Sequence, residues 1–225
     1  MAMWDENNED HWIPLADIMT GMMIVFMLVA VSFMIKVQHR ESTLRKQYNE
    51  IQASKLQNAK IKQDIAKELQ QTLGDKLEKW HAVLDSKNLI VKFNSSKVMF
   101  DTGKSNLKPE FTNSLNEFFP LYLKVVEKHA DSIASVSVEG YASSVWGNLS
   151  DTDSAYFLNM NLSQQRANSV LRYIYEISPN SATRAYIRNY FTANGYSSSR
   201  VVFNEDGSEN TAQSQRVEFK IVLRK

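Results

Sequence analysis

A lone acidic residue, Asp17, lies within a long apolar run near the start of the sequence. The run from Leu15 to Ile35 reads LADIMTGMMIVFMLVAVSFMI, and Asp17 is its one charged residue. A carboxyl group inside a membrane is costly, so such residues usually face a partner helix or a water-filled path. Thr20 follows one helical turn later on the same face, where its hydroxyl group could hydrogen-bond the carboxyl group or an ion. Asp17, with Thr20 beside it, therefore indicates a functional polar site within the membrane.

A second interpretation gives Asp17 no function. A carboxylate near the N-terminus of a helix is stabilised by the positive end of the helix dipole and can cap the first turn. Replacement of Asp17 by asparagine separates the two interpretations, because the amide has nearly the same shape but exchanges no proton.

The apolar run predicts one transmembrane helix over residues 13–35, because about 20 apolar residues cross the hydrocarbon core of a bilayer. Trp12 suits the headgroup level, and Pro14 suits the first helical turn. Residues 1–12 are acidic. This argues against a cleaved signal peptide, because such peptides begin with basic residues.

The second candidate site is centred on Arg166. The pattern N-x-x-L-S-x-x-R-A is formed by Asn159, Leu162, Ser163, Arg166 and the alanine that follows. At the start of a helix, Ser163 can cap the first turn. Arg166, one turn later, can bind a carboxylate through two parallel N–H groups. The alternative is that Arg166 only pairs with a nearby acid such as Asp151 or Asp153, as single exposed arginines usually do.

The elements that must position this second site follow residue 88. Apolar and alternating segments predict strands at 89–93, 135–141, 199–203 and 216–223, and amphipathic segments predict helices at 109–128 and 162–177. Residues 88–225 are therefore predicted to form an α/β sandwich, in which one mixed sheet carries helices on one face.

Residues 36–87 are predicted to be a helical connector, because apolar residues such as Leu44, Ile51, Ile65 and Leu69 recur at helical spacings. Two interpretations stay open. The connector is either a spacer or plug, paired between two copies, or a helix that packs back on the soluble domain.

The run from Trp12 to Met23, WIPLADIMTGMM, resembles the membrane helix of B-type stator subunits of flagellar motors, whose A-D-x-M-T-x-M-M core holds the ion-carrying aspartate. The resemblance implies that Asp17, with Thr20 beside it, forms an ion-carrying site, and that the transported ion is H+ or Na+. It also implies a homodimer whose two helices stand inside a ring of A-type membrane subunits.

Residues 88–225 resemble the peptidoglycan-binding domain of the OmpA family. The segments that carry the resemblance are FDTGKSNLKP at 100–109, VEGYASS at 138–144, NMNLSQQRANSV at 159–170, ANGYSSS at 193–199 and QSQRVEFKI at 213–221. The resemblance implies that peptidoglycan is a partner and that Arg166 binds the carboxylate of the diamino acid in its stem peptide. The implied binding residues are Tyr141, Ser143, Asn159, Leu162, Ser163 and Arg166.

The sequence departs from the OmpA family at two places. Where the family has a G-H-T-D turn whose aspartate captures the ligand's amine, residues 140–143 read GYAS. Gln215 stands where the family prefers arginine. Asp151 or Asp153, in a longer loop, could supply the missing acid.

The membrane helix and its short acidic N-terminus resemble more closely the B subunits of the Zorya anti-phage defence system. This resemblance implies an inner-membrane protein with a cytoplasmic N-terminus and a periplasmic C-terminal domain, which signals indirectly to cytosolic defence effectors. A flagellar stator subunit and a purely structural tether from membrane to wall are the alternatives. A biopolymer-transport subunit is disfavoured, because it lacks the wall-binding domain.

The charges that flank the apolar run oppose a periplasmic C-terminal domain. The cations at 36, 40, 45 and 46 follow the run, and positive charge usually stays in the cytoplasm.

The composition points to no enzyme or nucleic-acid binder. The chain has 225 residues, a formal net charge of +1 and no cysteine. Its histidines, at 11, 39, 81 and 129, show no metal-ligand spacing, and no phosphate-binding loop is present. We therefore expect no catalytic residues, no metal site, no cofactor and no direct nucleic-acid partner.

Overall fold

The computed structural model describes residues 12–94 and 96–224. The chain divides into two compact units, Met1–Gln57 and Asn58–Lys225. Helix α1, Trp12–Leu73, contributes residues to both.

The first unit consists of the N-terminal part of α1. Its side chains are exposed from Pro14 to Ile51. Among the described residues, this is the one helix long and apolar enough to cross a membrane, with a mean hydropathy of 2.5 over its most apolar stretch. An apolar stretch that a single chain leaves exposed is suited to lipid or to partner helices.

The second unit is built on a five-stranded sheet. Its strands are β1 Ala82–Asp85, β2 Ile90–Phe93, β3 Ile133–Gly140, β4 Phe191–Gly195 and β5 Val217–Leu223. The strand order is β1-β2-β5-β3-β4. The β3–β4 pair is parallel and the other pairs are antiparallel, which confirms the predicted mixed sheet.

The two faces of the sheet differ in polarity because side chains alternate along a strand. In β5, Val217, Phe219 and Ile221 are buried in the apolar core, whereas Glu218 and Lys220 belong to the opposite face. The helices that bury residues in this core therefore pack on the apolar face of the sheet.

The helices that follow α1 are α2 Ser96–Met99, α3 Pro109–Lys128, α4 Thr152–Glu176, α5 Ser181–Tyr190 and α6 Thr211–Ser214. Helix α3 has the predicted bounds, with proline at its first position, where no N–H is needed. It buries Phe111, Leu115, Phe118 and Tyr122, which share one helical face.

The C-terminal end of α1 belongs to the core of the second unit. Ile65, Leu69 and Leu73 are fully buried in the same cluster as the sheet and α3. Strand β1 also begins before residue 88. The predicted boundary at residue 88 therefore falls inside this unit, and the packing-back interpretation of the connector describes its last part.

Helix α1 is also joined to the end of α3 by hydrogen bonds to Glu68. Lys128 Nζ and His129 Nε2 each lie 2.8 Å from an oxygen of Glu68. These hydrogen bonds lower the pKa of Glu68 below its usual range. The stability that this carboxylate contributes is present above the usual pKa of glutamate and is lost as the pH falls through the lowered value.

Leu69→Ala is expected to destabilise the second unit by about 2–5 kcal/mol, because it opens a cavity in a closed core. Urea unfolding of the purified chain, followed by the fluorescence of the buried Trp80, measures the change. Leu56→Ala is the matched control, because Leu56 is 72% exposed. Equal midpoints for the two variants would show that α1 is not part of this core.

Three expectations about local structure differ from the fold. Residues 199–203 form no strand of the sheet; Phe203 makes an isolated bridge to Glu209. Strands β1 and β4 were not predicted, because each is short and neither alternates cleanly. Helix α4 begins well before residue 162.

Candidate functional site

Helix α4 begins at a cap that lies far from Ser163. The Asp151 side chain accepts a hydrogen bond from the backbone N–H of Asp153 at 3.2 Å, and also binds the hydroxyl group of Ser154. These bonds lower the pKa of Asp151. Asp151 is therefore the N-cap of α4, and the prediction that Ser163 caps the helix is wrong.

Ser163 instead links the middle of α4, through a hydrogen bond, to the segment that follows β4. Its hydroxyl group donates to the Met160 carbonyl group at 2.9 Å and accepts the Ser197 backbone N–H at 3.0 Å. Gln164 bonds the edge of β4, accepting the Gly195 N–H at 2.8 Å and donating to the Ala193 carbonyl group at 3.0 Å.

Two glycines allow α4 to lie this close to the sheet. A Cβ atom on Gly140 would lie 2.2 Å from the Ser163 carbonyl oxygen, and one on Gly195 would lie 2.4 Å from the Gln164 backbone nitrogen. Both distances are shorter than a van der Waals contact. The glycines at the ends of β3 and β4 therefore fix where the next turn of α4, with Arg166, is placed.

A cleft of about 270 Å³ opens beside this turn. It is lined by Thr102, Gly103, Ala142, Ser143, Val145, Trp146, Gly147, Asn159, Leu162, Arg166 and Gln215. The structure thus brings Ser143, Asn159, Leu162 and Arg166 together in one cleft. Of the other predicted binding residues, Ser163 lies behind it and Tyr141 lies outside it.

Arg166 is buried, and none of the described acidic residues pairs with it. Its side chain packs over the Phe100 ring, 4.8 Å from the centroid, and is 5% exposed. Nε donates to the Lys104 carbonyl group at 3.0 Å and Nη2 to the Asp101 carbonyl group at 3.4 Å. Within the described parts of the chain, no carboxylate lies within 4.0 Å of the guanidinium group.

Burial lowers the pKa of Arg166 to about 10, so the group is still cationic at neutral pH. The alternative pairing with Asp151 or Asp153 does not occur, because Asp151 caps α4 and Asp153 supplies the capped N–H. A buried cation with carbonyl partners alone is well placed to bind an anion that enters the cleft.

Ser143 occupies the position where the resembled family carries its acid. It is buried, and its hydroxyl group accepts a hydrogen bond from Gln215 Nε2 at 2.9 Å. Neither Asp151 nor Asp153 lines the cleft. The two departures from the OmpA pattern therefore bond each other, and no substitute acid enters the cleft.

Tyr141 lies on the opposite side of the sheet because it alternates with Gly140, which faces α4. Its ring stacks on Tyr196, with centroids 5.1 Å apart, and its hydroxyl group donates to Glu139 at 2.5 Å. The Arg216 guanidinium group packs over the Tyr141 ring, 4.0 Å from its centroid. Burial raises the pKa of Tyr141. Tyr141 therefore does not line the cleft, and its role in ligand binding stays a prediction.

Trp146 lines the cleft and was not among the predicted residues. It belongs to the loop between β3 and α4, which also contributes Val145 and Gly147. A large aromatic residue in the polar sequence SSVWGN is a signal that could have identified it.

The residues predicted to carry the ion lie in the first unit. Asp17 is five residues beyond Trp12, where α1 begins, so it is past the first turn and cannot be the N-cap. The Thr20 hydroxyl group donates to the Ala16 carbonyl group at 2.7 Å. Thr20 therefore bonds its own helix backbone in the single chain, rather than the Asp17 carboxyl group.

Known proteins resemble both units of the chain. The OmpA family model matches residues 99–181. The periplasmic domain of Helicobacter pylori MotB aligns with a TM-score of 0.45 and 15% identity, covering 64% of this chain and 88% of that domain.

Two relatives match along nearly the whole sequence. Zorya protein ZorB of Escherichia coli strain Crooks is 35% identical over 218 residues, which cover 97% of this chain and 89% of that protein. Zorya protein ZorB of a second Escherichia coli strain is 28% identical and covers 96% of this chain and 82% of that protein. The chain therefore belongs to the Zorya ZorB family.

Proposed function

We propose that this protein is a stator-like subunit of the bacterial inner membrane that is anchored to peptidoglycan and acts in anti-phage defence. Asp17 carries the transported ion, H+ or Na+, through a complex with a ring-forming A-type membrane subunit. The N-terminus is cytoplasmic and the second unit is periplasmic, where its cleft meets the wall. Cytosolic defence effectors respond to the complex indirectly.

The observation that carries the anchoring role is the buried Arg166 guanidinium group, which lines a cleft and has no acidic partner among the described residues. Burying a charge without a counterion costs free energy, and a bound carboxylate would recover part of it. Peptidoglycan supplies carboxylates on its stem peptides.

The observation that supports ion carriage is the position of Asp17. Its carboxyl group lies past the first turn of an apolar, exposed helix, where capping does not explain it. In lipid it needs polar surroundings, which a partner subunit would provide.

Function should require a continuous chain between the two units, because an anchor holds the membrane complex only if it stays attached. A protease site inserted after Gln57 allows the chain to be cut in living cells. We expect cutting to abolish protection from phage, whereas the same insertion without the protease leaves protection intact. Protection that survives complete cutting would rule out the anchored mechanism.

We also propose that two copies pair through the first unit. Val37, Leu44 and Ile51 recur every seven residues and are 46%, 65% and 54% exposed in the single chain. Such a stripe is suited to a parallel helix pair.

Cysteines introduced at Leu44 or Ile51 should therefore cross-link two copies, and the native chain has no cysteine to interfere. Non-reducing electrophoresis of membranes from active cells measures the product. A cysteine at Arg45, off the stripe, is the control. Monomer alone at both stripe positions would exclude pairing through this segment.

A further inference from the structure

The lining of the cleft carries one charged group. Arg166 is cationic, and the other lining residues are neutral. Two of the polar lining residues already make hydrogen bonds. Ser143 accepts one from Gln215, and Asn159 Nδ2 donates one to the Val145 carbonyl group at 3.4 Å.

Two acids that adjoin lining residues already have partners of their own. Asp101 contributes its carbonyl group to Arg166, but its carboxylate pairs with Lys108 at 3.4 Å and Lys104 at 3.9 Å. Glu209 accepts hydrogen bonds from the backbone and side chain of Ser144. Neither carboxylate lines the cleft.

An ammonium group entering this cleft would meet no acidic partner. It would lose part of its hydration and be repelled by the guanidinium group of Arg166. A neutral amide or a methyl group would instead pack against Leu162, Val145 and the Trp146 ring without such a cost.

We propose that the cleft selects a carboxylate whose neighbouring nitrogen is acylated and uncharged, and discriminates against one that carries a free ammonium group. The proposal rests on the proposed wall-binding function and specifies its ligand. In wall material, it favours stem peptides whose amines have already been converted to amides, as in a cross-link, over those with free amines. Ser143 determines this selectivity, because an aspartate at that position would supply the missing acceptor.

The test compares two preparations of the same peptidoglycan sacculi. One is untreated. In the other, acetic anhydride has acetylated the free amines, so that each ammonium becomes a neutral amide and acetate is released, while the carboxylates are unchanged. Co-sedimentation of the full-length chain in detergent gives an apparent affinity for each preparation.

The wild-type chain should bind acetylated sacculi about tenfold more tightly, because a like-charge repulsion is removed. Ser143→Asp should reverse the preference and bind untreated sacculi more tightly. Arg166→Ala should weaken binding to both. The Ser143→Asp comparison also controls for other effects of acetylation on the sacculi.

Each other outcome overturns a defined part of the account. Equal binding of wild type to both preparations, or loss of binding on acetylation, would overturn the selectivity and leave the anchoring function standing. If wild type binds neither preparation above the level of Arg166→Ala, the anchoring function itself is contradicted.

Discussion

Arg166→Ala should lower the affinity of the full-length chain for untreated peptidoglycan sacculi by at least tenfold. A charge-assisted, paired hydrogen bond typically contributes about 1.5–3 kcal/mol, which corresponds to a factor of roughly 10 to 150. Arg166→Lys should fall between wild type and alanine, because lysine keeps the charge but lacks the planar fork. Co-sedimentation over a range of sacculus concentrations measures the effect.

Arg172→Ala is the matched control on the same helix. Arg172 pairs with Glu176 at 3.0 Å, and its side chain is 78% exposed, so its loss should leave binding unchanged. Thermal unfolding of both variants separates lost binding from lost folding, since Arg166 also packs on Phe100. If the two alanine variants bound equally well, the cleft would not be the wall site.

Asp17→Asn should abolish protection from phage while leaving expression, membrane insertion and complex assembly unchanged. The amide matches the shape of the carboxyl group, but it cannot take up and release a proton, and it has no negative charge to neutralise a bound cation. Each charge moved across the membrane is worth about 2.3 kcal/mol per 100 mV, so loss of this group removes the energy source. Plaque counts on cells with equal amounts of each variant measure protection.

Two further variants test whether the loss of protection is caused by the missing acid. Asp17→Glu, which keeps the acid, should retain part of the protection. Ser32→Ala removes a polar group from the same predicted span without touching the acid, and should protect like wild type. Full protection by Asp17→Asn would leave the first unit as an anchor alone.

The sheet and its main helices could be predicted because their residues follow simple periods. The segment that became β5 alternates cleanly, and α3 begins at Pro109 and keeps one apolar face, so both were located almost to the residue. The start of the second unit was not predicted. Ile65 and Leu69 lie on a helix continuous with the exposed apolar stretch, and helical spacing does not reveal which apolar residues find a core.

The sequence predicted several residues of the candidate site but not how they are arranged. The motif around Arg166 identified three residues that line the cleft, Asn159, Leu162 and Arg166. It could not show that α4 starts at Asp151, which turns Ser163 from a cap into a contact with Ser197. Nor could it show the side to which Tyr141 points, because that depends on Gly140 facing the helix.

Both the sequence and the structure were needed to find that no described acid lines the cleft. The sequence showed Ser143 at the family's aspartate position and left Asp151 and Asp153 as replacements. Only the fold shows that Asp151 is used as a cap and that Gln215 already bonds Ser143. Such contacts depend on packing between residues that are far apart in the sequence. Local patterns in a single sequence do not reveal that packing.

The central claim, that Asp17 carries an ion through the assembled complex, is tested most directly by ion flux in proteoliposomes. The chain is co-purified with the proposed A-type partner, reconstituted, and given a pH gradient or a sodium gradient across the vesicle membrane. The account predicts flux of one of these ions with the wild-type complex and none above empty vesicles with Asp17→Asn. Equal flux through the two complexes, or no flux of either ion through a wild-type complex that protects cells, would contradict it.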